Sequence, residues 1–160
     1  KQMKEMGYNP KLLYLGVGVA FPVYKQMFGG PDVIEGIMGA GAWNPKVPYP
    51  GAKDWYDRHV KKWNKEPDFW ASAFAYASLQ VLEQSIEKVG LDRKKVRDYI
   101  ASNTFPTVIG PVRFEGGFNV QSPGEIGQWQ KGQFEIVASK AKRTAKPIYP
   151  KPPWPPEKAK

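Results

Sequence analysis

Cysteine is absent from this 160-residue chain, histidine occurs once, and no long hydrophobic run interrupts it. Each absence removes a class of function. Without cysteine there is no disulfide, no thiolate metal site and no thiol nucleophile. The single histidine, His59, lies between Arg58 and Val60 in a charged stretch, where a solvated surface position is expected. No nucleophile elbow, Gly-rich phosphate loop or cluster of metal-ligating residues accompanies it, so neither an enzyme nor a cofactor is expected. Asp54, Asp57, Glu66 and Asp68 lie near one another, but helical charge pairing with Lys53, Arg58, Lys61 and Lys62 accounts for them. No apolar stretch approaches the ~18 residues of a membrane span. Residues 1–6 carry charges where an export signal would have its apolar core; if the parent is exported, its signal is expected upstream.

What is present is a globular composition, 41% hydrophobic and 14% aromatic. The formal net charge of +9 raises the question of nucleic acid as a partner. Much of the excess comes from Lys140, Lys142, Arg143, Lys146, Lys151, Lys158 and Lys160, scattered along a proline-rich tail rather than arrayed on one helix face. No zinc-finger, homeodomain or RNP-type signature occurs, so the charge is read as solvated surface and nucleic acid is not expected.

Along the chain, residues 1–6 read as the end of an amphipathic helix closed by Gly7, followed by a turn at Tyr8-Asn9-Pro10. Residues 12–19 are mostly apolar and predict a strand buried on both faces. Helix, glycine, loop and strand form the second half of a βαβ unit whose first strand is not in this sequence, which suggests a fragment. A short helix over 23–28 ends at Gly29-Gly30-Pro31, and a Gly/Ala-rich strand is expected over 35–42. Pro45, Pro48 and Pro50 mark residues 44–52 as a crossover loop. Helices are predicted over 53–64 and 69–89, the second capped by Gly90, and a third runs to about Ser102 behind Asp92 as N-cap. Strands follow over 108–114, 126–130 and 133–137, with turns at Gly116-Gly117 and Lys131-Gly132. From Lys146 the chain is proline-rich and extended. The alternation predicts an α/β architecture.

Several blocks in this order resemble the branched-chain amino-acid type of periplasmic solute-binding protein. They are Gly7-Tyr8-Asn9-Pro10-Lys11; Phe28-Gly29-Gly30 leading to Ile34-Glu35-Gly36; Tyr76-Ala77-Ser78-Leu79-Gln80-Val81-Leu82; the segment from Thr107 through Gly110 to Phe114; Gly117; and Gln128-Trp129. The terminal Tyr149-Pro150-Lys151-Pro152-Pro153-Trp154 also resembles tails of that family. The resemblance implies a type I periplasmic-binding fold, of which this chain covers part of lobe 2 and the C-terminal part of lobe 1. Residues 1–50 would be a βα segment of lobe 2, and 51–115 helices and crossover contributing to both lobes. Residues 116–145 would be C-terminal strands and 146–160 an extended tail. The implied function is an extracytoplasmic component of an ABC importer that traps a small solute between two closing lobes. Its partners would be a small-molecule ligand and the transporter's permease, the latter the only link to a membrane.

The resemblance also nominates site residues. In amino-acid-binding members the loop after the strand matching residues 12–19 supplies an acid for the ligand ammonium. The resemblance puts that position at Gly18, with Val17 and Val19 beside it, so no carboxylate is available. An unpaired buried ammonium costs several kcal/mol. The expected ligand therefore lacks an α-ammonium, as an aromatic or aliphatic carboxylate does. The alternatives are an amino-acid or amide ligand whose acidic contact comes from elsewhere, and a ligand-sensing domain of a regulator or receptor. Phe21 follows the loop and could stack on a ligand, or be core. Trp43, at the end of the second strand, is a candidate by position, with core packing as the rival role. Ala71, flanked by Trp70 and Phe74, takes the apolar-wall position at the start of the long helix, and its small side chain leaves room for a bulky ligand. Glu35 is expected to be structural.

Overall fold

A computed structural model describes residues 2–121 and 124–156. The chain divides into two compact units, Lys1–Asn44 with Glu125–Lys160, and Pro45–Gly124.

The first unit is built on a four-stranded sheet. A single helical turn, α1 (Gln2–Glu5), precedes β1 (Tyr14–Leu15). Two short helices, α2 (Val23–Met27) and α3 (Pro31–Ile34), lead to β2 (Met38–Ala40). The strands β6 (Ile126–Gln130) and β7 (Gln133–Ala138) complete the order β1-β2-β6-β7. The β1–β2 pair is parallel and the other two pairs are antiparallel. Trp129, Phe134, Ile136, Ile34, Val19 and Trp43 are buried in this unit.

Two expectations need correction. The apolar run over 12–19 is not one strand buried on both faces. Only Tyr14 and Leu15 are extended, Val17–Ala20 winds into a 3-10 turn, and Leu12 and Tyr14 are exposed. Among the described residues β1 pairs only with β2 and forms the sheet edge. The second strand is likewise short, at three residues, and the Gly-Gly-Pro sequence that ends α2 as expected also opens a further helix, α3. Proline at the first helical position suits that role, because its missing N–H would have no partner there anyway.

The tail is tied to this unit by side chains. Gln128 is fully buried. Its Nε2 donates to the carbonyls of Gly36 (3.1 Å) and Ile148 (2.9 Å), while its Oε1 accepts from the Ile148 N–H (2.8 Å). Gln130 donates to the Lys146 carbonyl, the Lys151 N–H to the Lys11 carbonyl, and the Trp154 indole to the Tyr8 carbonyl. The extended tail expected from Lys146 onward is thus a strap over residues 146–154; Lys158 and Lys160 lie outside the described residues.

The second unit holds three helices, α4 (Ala52–Trp63), α5 (Ala71–Val89) and α6 (Arg93–Ser102), and an antiparallel sheet. Its strands are β3 (Thr104–Thr107), β4 (Gly110–Glu115) and β5 (Phe118–Asn119). Asp92 caps α6 as expected, accepting from the Lys95 N–H at 2.9 Å. Gly90 ends α5 with φ 75°, a conformation that disfavours any residue with a Cβ. The apolar stripe of α5, Ala73, Ala77 and Val81, is buried, together with Val96 of α6 and Phe105, Val108, Ile109 and Val112. β3 is absent from the sequence reading because Pro106 lies inside it. Facing Pro111 in a strand that, among the described residues, pairs on one side only, that proline gives up no ladder bond the sheet needs.

Candidate functional site

The residues nominated from sequence fall into two groups, one in each unit. Gly18, Val19 and Phe21 belong to the 3-10 turn Val17–Ala20 and its C-terminal flank. Gly18 is exposed, and a Cβ built on it meets nothing within 4 Å, so the backbone presents an open position without a side chain. Val19 is 3% exposed, whereas Phe21 keeps 37% of its surface open. The turn Gly16-Val17-Gly18-Val19-Ala20-Phe21 contains no ionisable side chain at all.

The turn is held from behind. Trp129 of β6 is completely buried, and its indole N–H donates to the Val19 carbonyl at 2.9 Å. Gly39 of β2 lies against the same residue: a Cβ at position 39 would come within 1.9 Å of Val19 Cγ2 and 3.0 Å of the Gly16 carbonyl. Neither contact is expressed locally in the sequence. The indole and the carbonyl it serves are 110 residues apart. The only sequence signals were the Gln128-Trp129 pair and the small residues of β2.

Trp43 is 2% exposed and follows the sheet's second strand, so its indole is packed rather than presented to solvent. Glu35 takes the structural role expected of it, accepting from the Lys131 N–H at 2.8 Å in the β6–β7 turn.

In the second unit, Trp70, Ala71 and Phe74 mark the start of α5. Trp70 and Phe74 are half-buried and Ala71 is exposed. Asp68 fixes this start. Its carboxylate accepts from the Trp70 N–H (3.0 Å) and the Ser72 N–H (3.1 and 3.3 Å to its two oxygens), and it also receives the Ser72 hydroxyl. Free N–H groups at a helix start are thereby satisfied.

The acids weighed against an enzyme reading are similarly engaged. Asp57 pairs with Lys53 and Asp54 with Arg58, as the helical spacing predicts. Glu66 accepts from the Tyr56 hydroxyl at 2.8 Å; burial first, then this carboxylate, push the Tyr56 hydroxyl far above its ordinary range. His59 is not simply solvated: its Nδ1 lies 3.1 Å from the Lys65 carbonyl and its ring packs near Trp55, tying the end of α4 to the following loop. No group of three or more acidic or histidine side chains among the described residues could hold a metal ion. No helix among them is long and apolar enough to cross a membrane.

With this geometry in place, the chain matches the sequence model for periplasmic binding proteins over residues 1–133. Solved structures match the fold as well. The leucine-binding protein LivK of Thermotoga maritima superposes with a TM-score of 0.69 at 21% identity, over 86% of this chain and 39% of that one. A branched-chain amino-acid transporter protein of Silicibacter pomeroyi gives 0.72 at 16% identity, covering 96% of this chain and 43% of its own. A solute-binding protein of R. palustris, solved with benzoate, gives 0.61 at 15% identity over 90% and 46%. The chain thus spans less than half the length of the solved proteins it matches.

Proposed function

The chain belongs to the periplasmic binding protein family, and we propose on that premise that it is part of the solute-binding component of an ABC importer. It works outside the cytoplasm, delivers a small organic solute to a membrane permease, and performs no bond chemistry on it. Lys1–Asn44 with Glu125–Lys160 would then be the piece of one lobe, and Pro45–Gly124 the piece of the other. The candidate contacts are Gly18 and Phe21 in the first, with the buried Val19 and Trp43 as packing behind them, and Trp70, Ala71 and Phe74 in the second. We further propose that the solute is a carboxylate without an α-ammonium, aromatic or aliphatic. The observation carrying this is the Val17–Ala20 turn: it is exposed at Gly18, has room for a side chain there, and supplies no carboxylate. A desolvated ammonium beside it would lack its counter-charge. The benzoate complex of the R. palustris protein indicates that the fold accommodates such a ligand. The leucine-binding protein LivK, which shares the fold, favours the second reading, an amino acid whose ammonium is met by a group elsewhere.

A thermal-shift panel on the protein that carries this chain separates the readings. A ligand at 100 times its dissociation constant adds about 2.7 kcal/mol of stability. Benzoate and simple aliphatic acids are expected to stabilise, and leucine and isoleucine are not. Gly18→Asp, which the open space tolerates, is expected to abolish the response to acids by placing like charges together. Stabilisation by leucine alone, unchanged in Gly18→Asp, would retain the family role and refute the ligand class.

A further inference from the structure

We propose that Trp129 is a positioning residue for solute binding, setting the Val17–Ala20 turn through its indole N–H; this rests on the reading that the turn contacts the solute. Three observations converge on it. The indole donor meets the Val19 carbonyl at 2.9 Å, and both residues are buried. Trp129 is itself fixed, because its backbone N–H donates to the Ile37 carbonyl (2.9 Å) and its carbonyl accepts from the Gly36 N–H (2.8 Å). Its ring packs against Phe134, tilted at 5.3 Å, and against Tyr24, stacked at 6.4 Å. The donor therefore has little freedom, and the carbonyl must come to it.

Gly39 lets the carbonyl do so. With any side chain at position 39, Val19 would be displaced, since the added Cβ would overlap Val19 Cγ2 at 1.9 Å. Glycine in β2 and tryptophan in β6 thus hold the turn from two sides of one residue. The flank that remains open is the one carrying Gly18 and Phe21. A turn of four residues has few internal bonds of its own, so its geometry comes from these outside supports. Binding groups held by locked supports lose less freedom when a ligand arrives.

Trp129→Phe removes the donor and keeps a ring against Phe134 and Tyr24. The test measures the dissociation constant of the acid that stabilises the wild type, well below the melting temperature, with amide exchange of residues 17–21. We expect the constant to weaken about tenfold, or ~1.4 kcal/mol, and exchange at 17–21 to accelerate while α5 is unchanged. A purely structural tryptophan would lower the melting temperature but leave the affinity of the folded protein alone, and that result overturns the proposal. If Trp129→Phe does not fold, Gly39→Ala, Val19→Ala and their combination replace it. Relief of the Gly39→Ala defect by Val19→Ala supports the two-sided support, and additive losses refute it. Should the wild type bind nothing in the panel, the functional reading fails separately. Exchange at 17–21 then decides the structural half, with an unchanged rate in Trp129→Phe overturning it.

Discussion

Ion pairs occur in both units, but at opposite depths. In the first, Lys142 meets Glu125 at 3.2 Å with the two side chains only 12% and 7% exposed. In the second, Lys53–Asp57 lies at 75% and 55% exposure, with Arg58–Asp54 and Lys94–Asp98 also open to solvent. The contrast extends beyond charge. In the second unit the four-residue ion pairs and the caps at Asp92 and Asp68 join near neighbours, and Gln80 accepts from the Val108 N–H across 28 residues. The first is held by side chains reaching 90 to 146 residues along the chain, as Asn44 does to the Phe134 carbonyl and Trp154 to that of Tyr8. Interactions of one chemical type thus differ in their stabilising effect according to what water they exclude.

The largest expected effect tests that depth directly. Lys142→Met keeps the aliphatic stem but leaves the Glu125 carboxylate buried without this cation, still accepting from the Ser139 N–H. Stripping one partner from a buried pair is expected to cost about 3 kcal/mol, read as a lower urea midpoint. The double variant Lys142→Met/Glu125→Gln should recover most of it, because the uncompensated charge is gone. A single-variant loss below ~1 kcal/mol would put this pair in the class of surface bridges and erase the contrast.

The same division decides what the sequence made legible. In the second unit the helices, the Asp92 cap, the Gly90 terminator and the Gly116-Gly117 turn were all readable, since each signal lies beside the structure it controls. β3 was not, because Pro106 argues locally against a strand and only its pairing with Pro111 overrides that. In the first unit the hairpin of β6 and β7 was readable from Lys131-Gly132, again a local signal. The run over 12–19 was misread for a physical reason. Val19 is buried beside Gly39 within a turn, and burial in a turn resembles burial in a strand when only hydropathy is seen. At the candidate site, Gly18 and Val19 could be named by resemblance, yet their support by Trp129 could not. A hydrogen bond between residues 19 and 129 leaves no periodic trace.

A middle-sized effect is expected at the start of α5. Asp68 stands two residues before the first residue outside the helix, and it satisfies the N–H groups of Trp70 and Ser72. Asp68→Ala should lower stability by ~1 kcal/mol, as lost caps do. Asp68→Asn, which retains an acceptor oxygen, should lose less. Equal losses in the two variants would show that charge rather than hydrogen bonding fixes this helix start. Because Trp70 and Ala71 lie at the helix start that Asp68 fixes, Asp68→Ala also tests whether the wall proposed there depends on the cap.

The smallest effect is expected at Lys53–Asp57, where the distance is short at 2.5 Å but both side chains are well exposed. Distance alone would make this pair look stronger than the buried one. Solvent screening and the entropy of holding two long side chains argue the reverse, and exposed helical pairs contribute only ~0.3–0.5 kcal/mol. The order of charges reduces the effect further, since a base preceding its acid along a helix opposes the helix dipole. One term works the other way: α4 also carries Arg58, Lys61 and Lys62, and Asp57 offsets part of their mutual repulsion. Asp57→Asn is therefore expected to cost no more than about 0.5 kcal/mol. At 1 M salt, where the screening length is ~3 Å, that cost should vanish, whereas the Lys142→Met loss should persist. Paired urea titrations at low and high salt measure both. A salt-resistant Asp57→Asn loss above ~1 kcal/mol would mean that proximity, not depth, governs these pairs.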